Sequence, residues 1–372
     1  VNRQAIALVP GFLGFDHLGS TSYFADRFTA GLAGVFTGRG RSDIPVFTVG
    51  TLPIGSLARR QEQLIESLDA LDCDPRGPFD WHLVGHSTGG LDAALLVRKR
   101  KLRQERDGSV FVAEPLDQHR VKSVTTISSP HYGTGLALSP LPRATAKARI
   151  SPAAIRDLLQ IARDAVGGRD AIGARVRFAL ATSFEGNSVA FLKHLLFADH
   201  LALDLSPSVA KRLTSESNRC GVPVFSIASV APRPEGDAAD AVFRDLWTWT
   251  KNGAAGVPAP PPVAIASAPT LVAAELDPLP ADPLHIDAEA NDGVVNTARQ
   301  IDAGGVYAGL VLADHADVLG SYRRTDARGH LIEPGLLTSG SKFGDEQFSK
   351  LLALVADGIL SLVPAARSQR AA

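Results

Sequence analysis

The chain has 372 residues, 45% of them hydrophobic, so it can bury a large core as one α/β domain carrying insertions. Its formal net charge of −1 excludes the broad positive field that would recruit nucleic acid or an anionic membrane, which leaves shape and apolar contact to capture a partner. Cys73 and Cys220 are the only cysteines, too few for a disulfide scaffold and compatible with one bridge or two free thiols, so the compartment stays open.

The first predicted element is an apolar strand at residues 5–9, too short for the core of an export signal and followed by the loop Pro10-Gly11-Phe12-Leu13-Gly14. A second strand is predicted at 46–49, with loop in between. A helix near 57–71 gathers Leu57, Leu64, Ile65, Leu68 and Leu71 on one face, opposite Arg59, Arg60, Glu62 and Glu66. Trp81 to Val84 then reads as a buried strand that runs into Gly85-His86-Ser87-Thr88-Gly89-Gly90 and out into an apolar helix from Leu91 to Leu96. Residues 121–127 form the next buried strand. This βαβ rhythm predicts an α/β fold with a mostly parallel sheet and helices on both faces.

From 134 to 215 helical patterns follow one another without a strand, as in the stripe Ile155, Leu158, Leu159, Ala162 and Val166. An insertion of helices at this point would lie over the active edge of the sheet, so a helical lid or cap is predicted there. Strand character returns at 222–227, and residues 231–270, rich in Pro, Gly and Ala around Trp247 and Trp249, predict a surface excursion. Residues 306–312 are the last predicted strand and 346–360 a closing amphipathic helix. Pro258 and Asp357 break the longest apolar runs, so no transmembrane segment is predicted.

The chemistry starts at Ser87, a serine flanked by glycines between a strand and a helix. Such a turn forces the serine into a strained conformation with its hydroxyl at the sheet edge. A serine hydroxyl is a weak nucleophile near neutral pH and needs a base within hydrogen-bond reach and an acid to orient that base. Asp292, in the polar turn Asn291-Asp292-Gly293, and His315, just after the last strand, follow in the required order. Asp287, Asp302 and Asp314 are rivals for the acid, and His285 and His330 for the base. Two backbone donors are needed for the oxyanion, and Phe12 and Thr88 are the candidates.

Taken together, these motifs resemble the bacterial triacylglycerol lipases of the calcium-bound, secreted type, an α/β-hydrolase family. The resemblance rests on Gly11-Phe12-Leu13-Gly14-Phe15-Asp16, the turn at 85–90, the stretch Ser128-Ser129-Pro130-His131-Tyr132-Gly133-Thr134, and Asn291-Asp292-Gly293 with His315. It implies a serine carboxylic-ester hydrolase acting on apolar acyl esters, lipids of the triacylglycerol type, and working at a lipid–water interface. Ser87 would be the nucleophile, Asp292 the acid, His315 the base, and Phe12 with Thr88 the oxyanion donors. The chemistry itself needs no cofactor. The resemblance also implies a structural Ca²⁺ near the histidine, with Asp317 and the Asp277 of Leu276-Asp277-Pro278 as ligands. Pro10 departs from the family, which has a histidine there. Two other readings are an acyltransferase using the same triad and a non-catalytic lipid-binding module on the same fold.

Overall fold

The computed structural model describes residues 3–12, 17–18, 21–52, 55–98, 101–104, 110–114, 120–138, 201–216, 221–235, 238–260, 269–273, 286–326 and 328–363. In chain order the principal elements are β1 (Arg3–Val9), α1 (Asp26–Gly38), β2 (Val46–Thr48), α2 (Leu57–Asp72), β3 (Phe79–His86), α3 (Thr88–Leu96) and β4 (Val121–Ile127). They continue as α4 (Pro207–Glu216), β5 (Val224–Val230), α5 (Ala241–Gly253), β6 (Thr270–Val272), β7 (Val306–Leu312) and α6 (Asp345–Leu360). Residues 10 to 45, expected as loop, contain α1. Its buried Phe28, Leu32 and Phe36 recur every four residues, a helical period.

Seven strands form one sheet in the order β6-β7-β5-β4-β3-β1-β2, and every neighbouring pair is parallel. Parallel sheets bury both faces, and β1 shows how one strand serves both. Ile6 and Leu8 face α1 and α6, packing with Phe28, Phe36, Phe348, Leu351 and Val355. The alternate residues Ala5, Ala7 and Val9 face α2 and the end of α3, packing with Leu64, Leu68, Trp81 and Leu96.

The strand order reverses at β1: the chain leaves β1 to one side for β2 and returns on the other as β3. Loops at such a switch point diverge beyond the strand carboxyl ends and leave a crevice there. Val9 pairs with Gly85 and His86 with Ile127, so the loop after β1, the turn after β3 and the loop after β4 start at one level.

The predicted lid at 134–215 lies for its central part, 139–200, outside the described residues. At its carboxyl end Leu201, Leu205 and Leu213 are buried with Leu57, Leu91 and Leu95 against α2 and α3. The stretch 231–270 differs from the surface excursion expected there. Its middle is α5, capped by the Asp240 side chain and buried through Phe243 and Trp247. An apolar pair spaced by four residues drives that burial, and the Pro and Ala content around it masked the pattern. Two-residue strands at His17–Leu18 and Thr21–Ser22, and hairpins pairing 101–104 with 110–114 and 323–325 with 331–334, stand apart from the main sheet. No helix among the described residues is long and apolar enough to cross a membrane.

Helix α3 meets β1 backbone to backbone at Gly89, where an added Cβ would lie 2.2 Å from the carbonyl oxygen of Val9. Alanine is favoured over glycine in a helix by about 1 kcal/mol, whereas overpacking costs about 1–3 kcal/mol. Because the obstructing atom is backbone, the second effect wins. Gly89→Ala is expected to lower the free energy of unfolding by about 1–2 kcal/mol in urea titration.

Candidate active site

Ser87 stands between the last residue of β3 and the first of α3 with φ 54° and ψ −131°, a left-handed conformation that costs a non-glycine residue about 1–3 kcal/mol. The turn is held because its amide donates to Ile127 O at 2.9 Å and its carbonyl accepts from Gly90 N at 3.1 Å. Gly85 makes the tight reversal feasible: a Cβ there would come within 2.4 Å of Gly90 Cα. Gly11 lies directly above the serine, since a Cβ on it would be 2.7 Å from Ser87 Cβ. The loop after β1 and the serine turn are therefore in contact.

Asp292 and His315 are brought together. His315 Nδ1 is 2.7 Å from Asp292 Oδ2, and the His315 amide donates to Asp292 O at 3.0 Å. The Asp292 carboxylate is fully buried and saturated: Oδ1 accepts from the amides of Val294 and Val295, and Oδ2 also accepts from Ser229 Oγ and Gln300 Nε2. Five donors on one carboxylate satisfy its two oxygens and fix its plane. The turn is braced by α5, where Phe243 packs against Gly293 and Thr250 Oγ1 donates to Gly293 O.

The rival acids are engaged elsewhere: Asp287 with Arg233, Asp302 with Arg98, and Asp314 with the amides of Ala316 and Asp317. Of the rival histidines, His330 is exposed and bonded to Asp326, while His285 lies outside the described residues. His82 bonds Ser123 and Gln4 and His131 bonds Thr126; burial pushes each of these two imidazoles down to about 4, so both are neutral packing groups. His86, beside the serine turn and too close to it to act as the base, nevertheless reaches the His315 loop. Its Nε2 meets the His315 carbonyl oxygen at 2.9 Å, and the two rings lie 4.6 Å apart. Burial, with the neighbouring His315, holds His86 well below the ordinary histidine range. Among the described residues Ser87 makes no hydrogen bond to His315, and catalytic contacts of this kind are commonly loose before substrate arrives.

Phe12 has its side chain 46% exposed, and Thr88, first residue of α3, is buried with an amide that lacks an intrahelical acceptor. Sequence reasoning missed the support of the Phe12 loop. Arg60 of α2 is fully buried and donates to Pro10 O at 2.9 Å and Gly11 O at 3.4 Å, and also to Leu52 O. The Gly11–Phe12 peptide is planar, so drawing the Gly11 carbonyl toward Arg60 turns the Phe12 N–H the opposite way. Arg60 thus holds the loop that Pro10 opens. Its charge is balanced by Asp92 at 2.7 Å, whose carboxyl burial pushes up against the pull of Arg60.

Leucine at Arg60 would leave Asp92 buried and unpaired, a loss of about 3–5 kcal/mol in stability. Arg60→Leu is expected to show that loss in urea titration. The double variant with Asp92→Leu should recover most of it in the same titration.

No family model matches the chain, and no curated protein matches it. Solved structures do. Lipase 1 from Pelosinus fermentans aligns with a TM-score of 0.53 at 16% identity, over 98% of this chain and 100% of that one. The EstA structure from Clostridium botulinum gives 0.51 at 17% identity over 95% and 88%. The Staphylococcus hyicus lipase gives 0.50 at 16% identity over 97% and 96%. Identity this low speaks to the backbone, and it agrees with the parallel sheet, its switch point and the serine turn: the chain has the α/β-hydrolase fold of these bacterial lipases and esterases.

Proposed function

We propose that the protein is a serine carboxylic-ester hydrolase acting on apolar acyl esters of the triacylglycerol type through an acyl-enzyme. The observation that carries this reading is the hydrogen bond between buried Asp292 and His315, whose backbone is bonded to the residue immediately before the strained Ser87. In this reading Ser87 Oγ attacks the ester carbonyl carbon while its proton passes to His315 Nε2. Negative charge develops on the carbonyl oxygen, and the amides of Phe12 and Thr88 receive it. Collapse of the tetrahedral adduct breaks the bond to the alcohol, which leaves with the proton from Nε2. Water then repeats the sequence on the acyl-serine. Asp292 keeps its proton count throughout and stabilises the imidazolium. The exposed Phe12 ring, on the loop next to the nucleophile, gives the entrance an apolar group for an acyl chain or a lipid surface.

The family resemblance further implies Ca²⁺ on the histidine loop, with Asp317 and Asp277 as ligands. Asp277 lies outside the described residues. Asp317 is buried beside Asp314, and burial together with the other's charge pushes Asp317 well above the usual carboxylate range and also raises Asp314. Asp314 Oδ2 accepts no hydrogen bond. Two dehydrated carboxylates with an unfilled oxygen fit a hard cation, although among the described residues no cluster of three metal-binding side chains forms. Bound there, the ion would supply no chemistry of its own and would steady the His315 loop through Asp317.

Ser87→Ala is expected to abolish hydrolysis of p-nitrophenyl esters, a fall of about 10⁶-fold in kcat by analogy with a characterised serine hydrolase. Retention of most activity would overturn the reading. For calcium, exhaustive chelation is expected to lower both the melting midpoint and the activity, and re-addition to restore them. An unchanged midpoint and rate would remove the ion.

A further inference from the structure

Tyr23 and His86 stand outside the residues to which the chemistry is assigned, yet they join three loops of the site. The Tyr23 hydroxyl is 2.7 Å from His86 Nδ1, and His86 Nε2 is 2.9 Å from the carbonyl oxygen of His315. A carbonyl oxygen only accepts, so Nε2 carries the imidazole proton and the bare Nδ1 accepts from the phenol. The same phenol oxygen lies against the loop of Phe12, since a Cβ on Gly11 would come within 2.6 Å of it. The chain of contacts runs from that loop, through the residue before Ser87, to the backbone of His315.

A general base must be fixed along its whole backbone, because a displacement of about 1 Å costs on the order of 10²-fold in rate. Asp292 holds the amide side of His315 and its Nδ1. The carbonyl side is held by His86, whose ring also packs on the His315 ring at 4.6 Å with a 50° tilt.

We propose that Tyr23 and His86 are positioning residues: the hydrogen-bonded chain from the Tyr23 hydroxyl through His86 to the His315 carbonyl fixes the base relative to the serine turn. The proposal rests on the ester-hydrolase reading, and it is tested with two readouts on the full chain. One is steady-state kinetics on a soluble p-nitrophenyl ester. The other is the low-field proton resonance of His315 Nδ1–H, which needs no turnover.

His86→Leu is expected to lower kcat about 10-fold with KM within about twofold, and to broaden the resonance by faster exchange. His86→Gln carries an amide N–H to the position of Nε2–H and is expected to recover most of kcat and the sharp resonance. Tyr23→Phe removes only the hydroxyl and should lower kcat about threefold without moving KM; it carries the test where His86→Leu does not fold. Equal behaviour of the Leu and Gln variants, a loss wholly in KM, or wild-type kcat and resonance in Tyr23→Phe would overturn the proposal. Inactive wild-type enzyme would instead count against the ester reading, with the resonance still deciding whether the chain positions His315.

Discussion

The site depends on a close approach of backbones at the point where the strand order reverses. β1, the turn after β3 and the start of α3 meet with glycine at each contact: Gly85 against Gly90, Gly89 against Val9 and Pro10, and Gly11 against Ser87. Gly90 extends the contact to the loop after β4, where an added Cβ would overlap Ser129 Oγ. Side chains at these positions would push the layers apart by more than a crevice of this kind tolerates. With them absent, the positive φ of Ser87 is over-determined by its neighbours, and the strain is carried by the packing of the sheet.

Around this contact the polar groups divide by partner. His82, His86 and His131 are buried and held neutral, bonded to hydroxyl, amide or carbonyl groups. His315 differs in pairing with a buried carboxylate while its own side chain stays 12% exposed. That combination leaves His315 oriented by the carboxylate and still reachable from the surface. The buried charges follow the same logic. Arg60 with Asp92 and Arg98 with Asp302 are each paired; Arg60 also donates to carbonyls of the loop after β1, and Arg98 to Thr214 O in the last turn of α4. Such pairs add little net stability over apolar isosteres, but they fix loop geometry.

The acid turn shows how distant segments share one task. Asp292 is oriented by Ser229 at the end of β5, by Gln300 beyond the turn, and by α5 behind Gly293. Ser229 Oγ also bonds Ser128 Oγ, which sits at positive φ after β4. The polar ends of two neighbouring strands, β4 and β5, thus lead to one carboxylate, as expected where loops leave a parallel sheet on one edge.

The strands at 121–127 and 306–312, the helix near 57–71 and the serine turn were legible in the amino-acid order, because period-two and period-four burial and glycine placement are local properties. The sequence also offered Asp292 and His315 in the right order, and the structure places them in hydrogen contact. It left α1 as loop and α5 as excursion, since short apolar stripes among small residues and prolines give weak periodicity. Which aspartate meets the histidine, that Arg60 holds the Phe12 loop, and that Tyr23 and His86 reach His315 follow from the folded arrangement alone. Those contacts join residues separated by 23 to 229 positions, and a hydrogen bond across such a span follows from the sheet's strand order and has no local pattern in the chain.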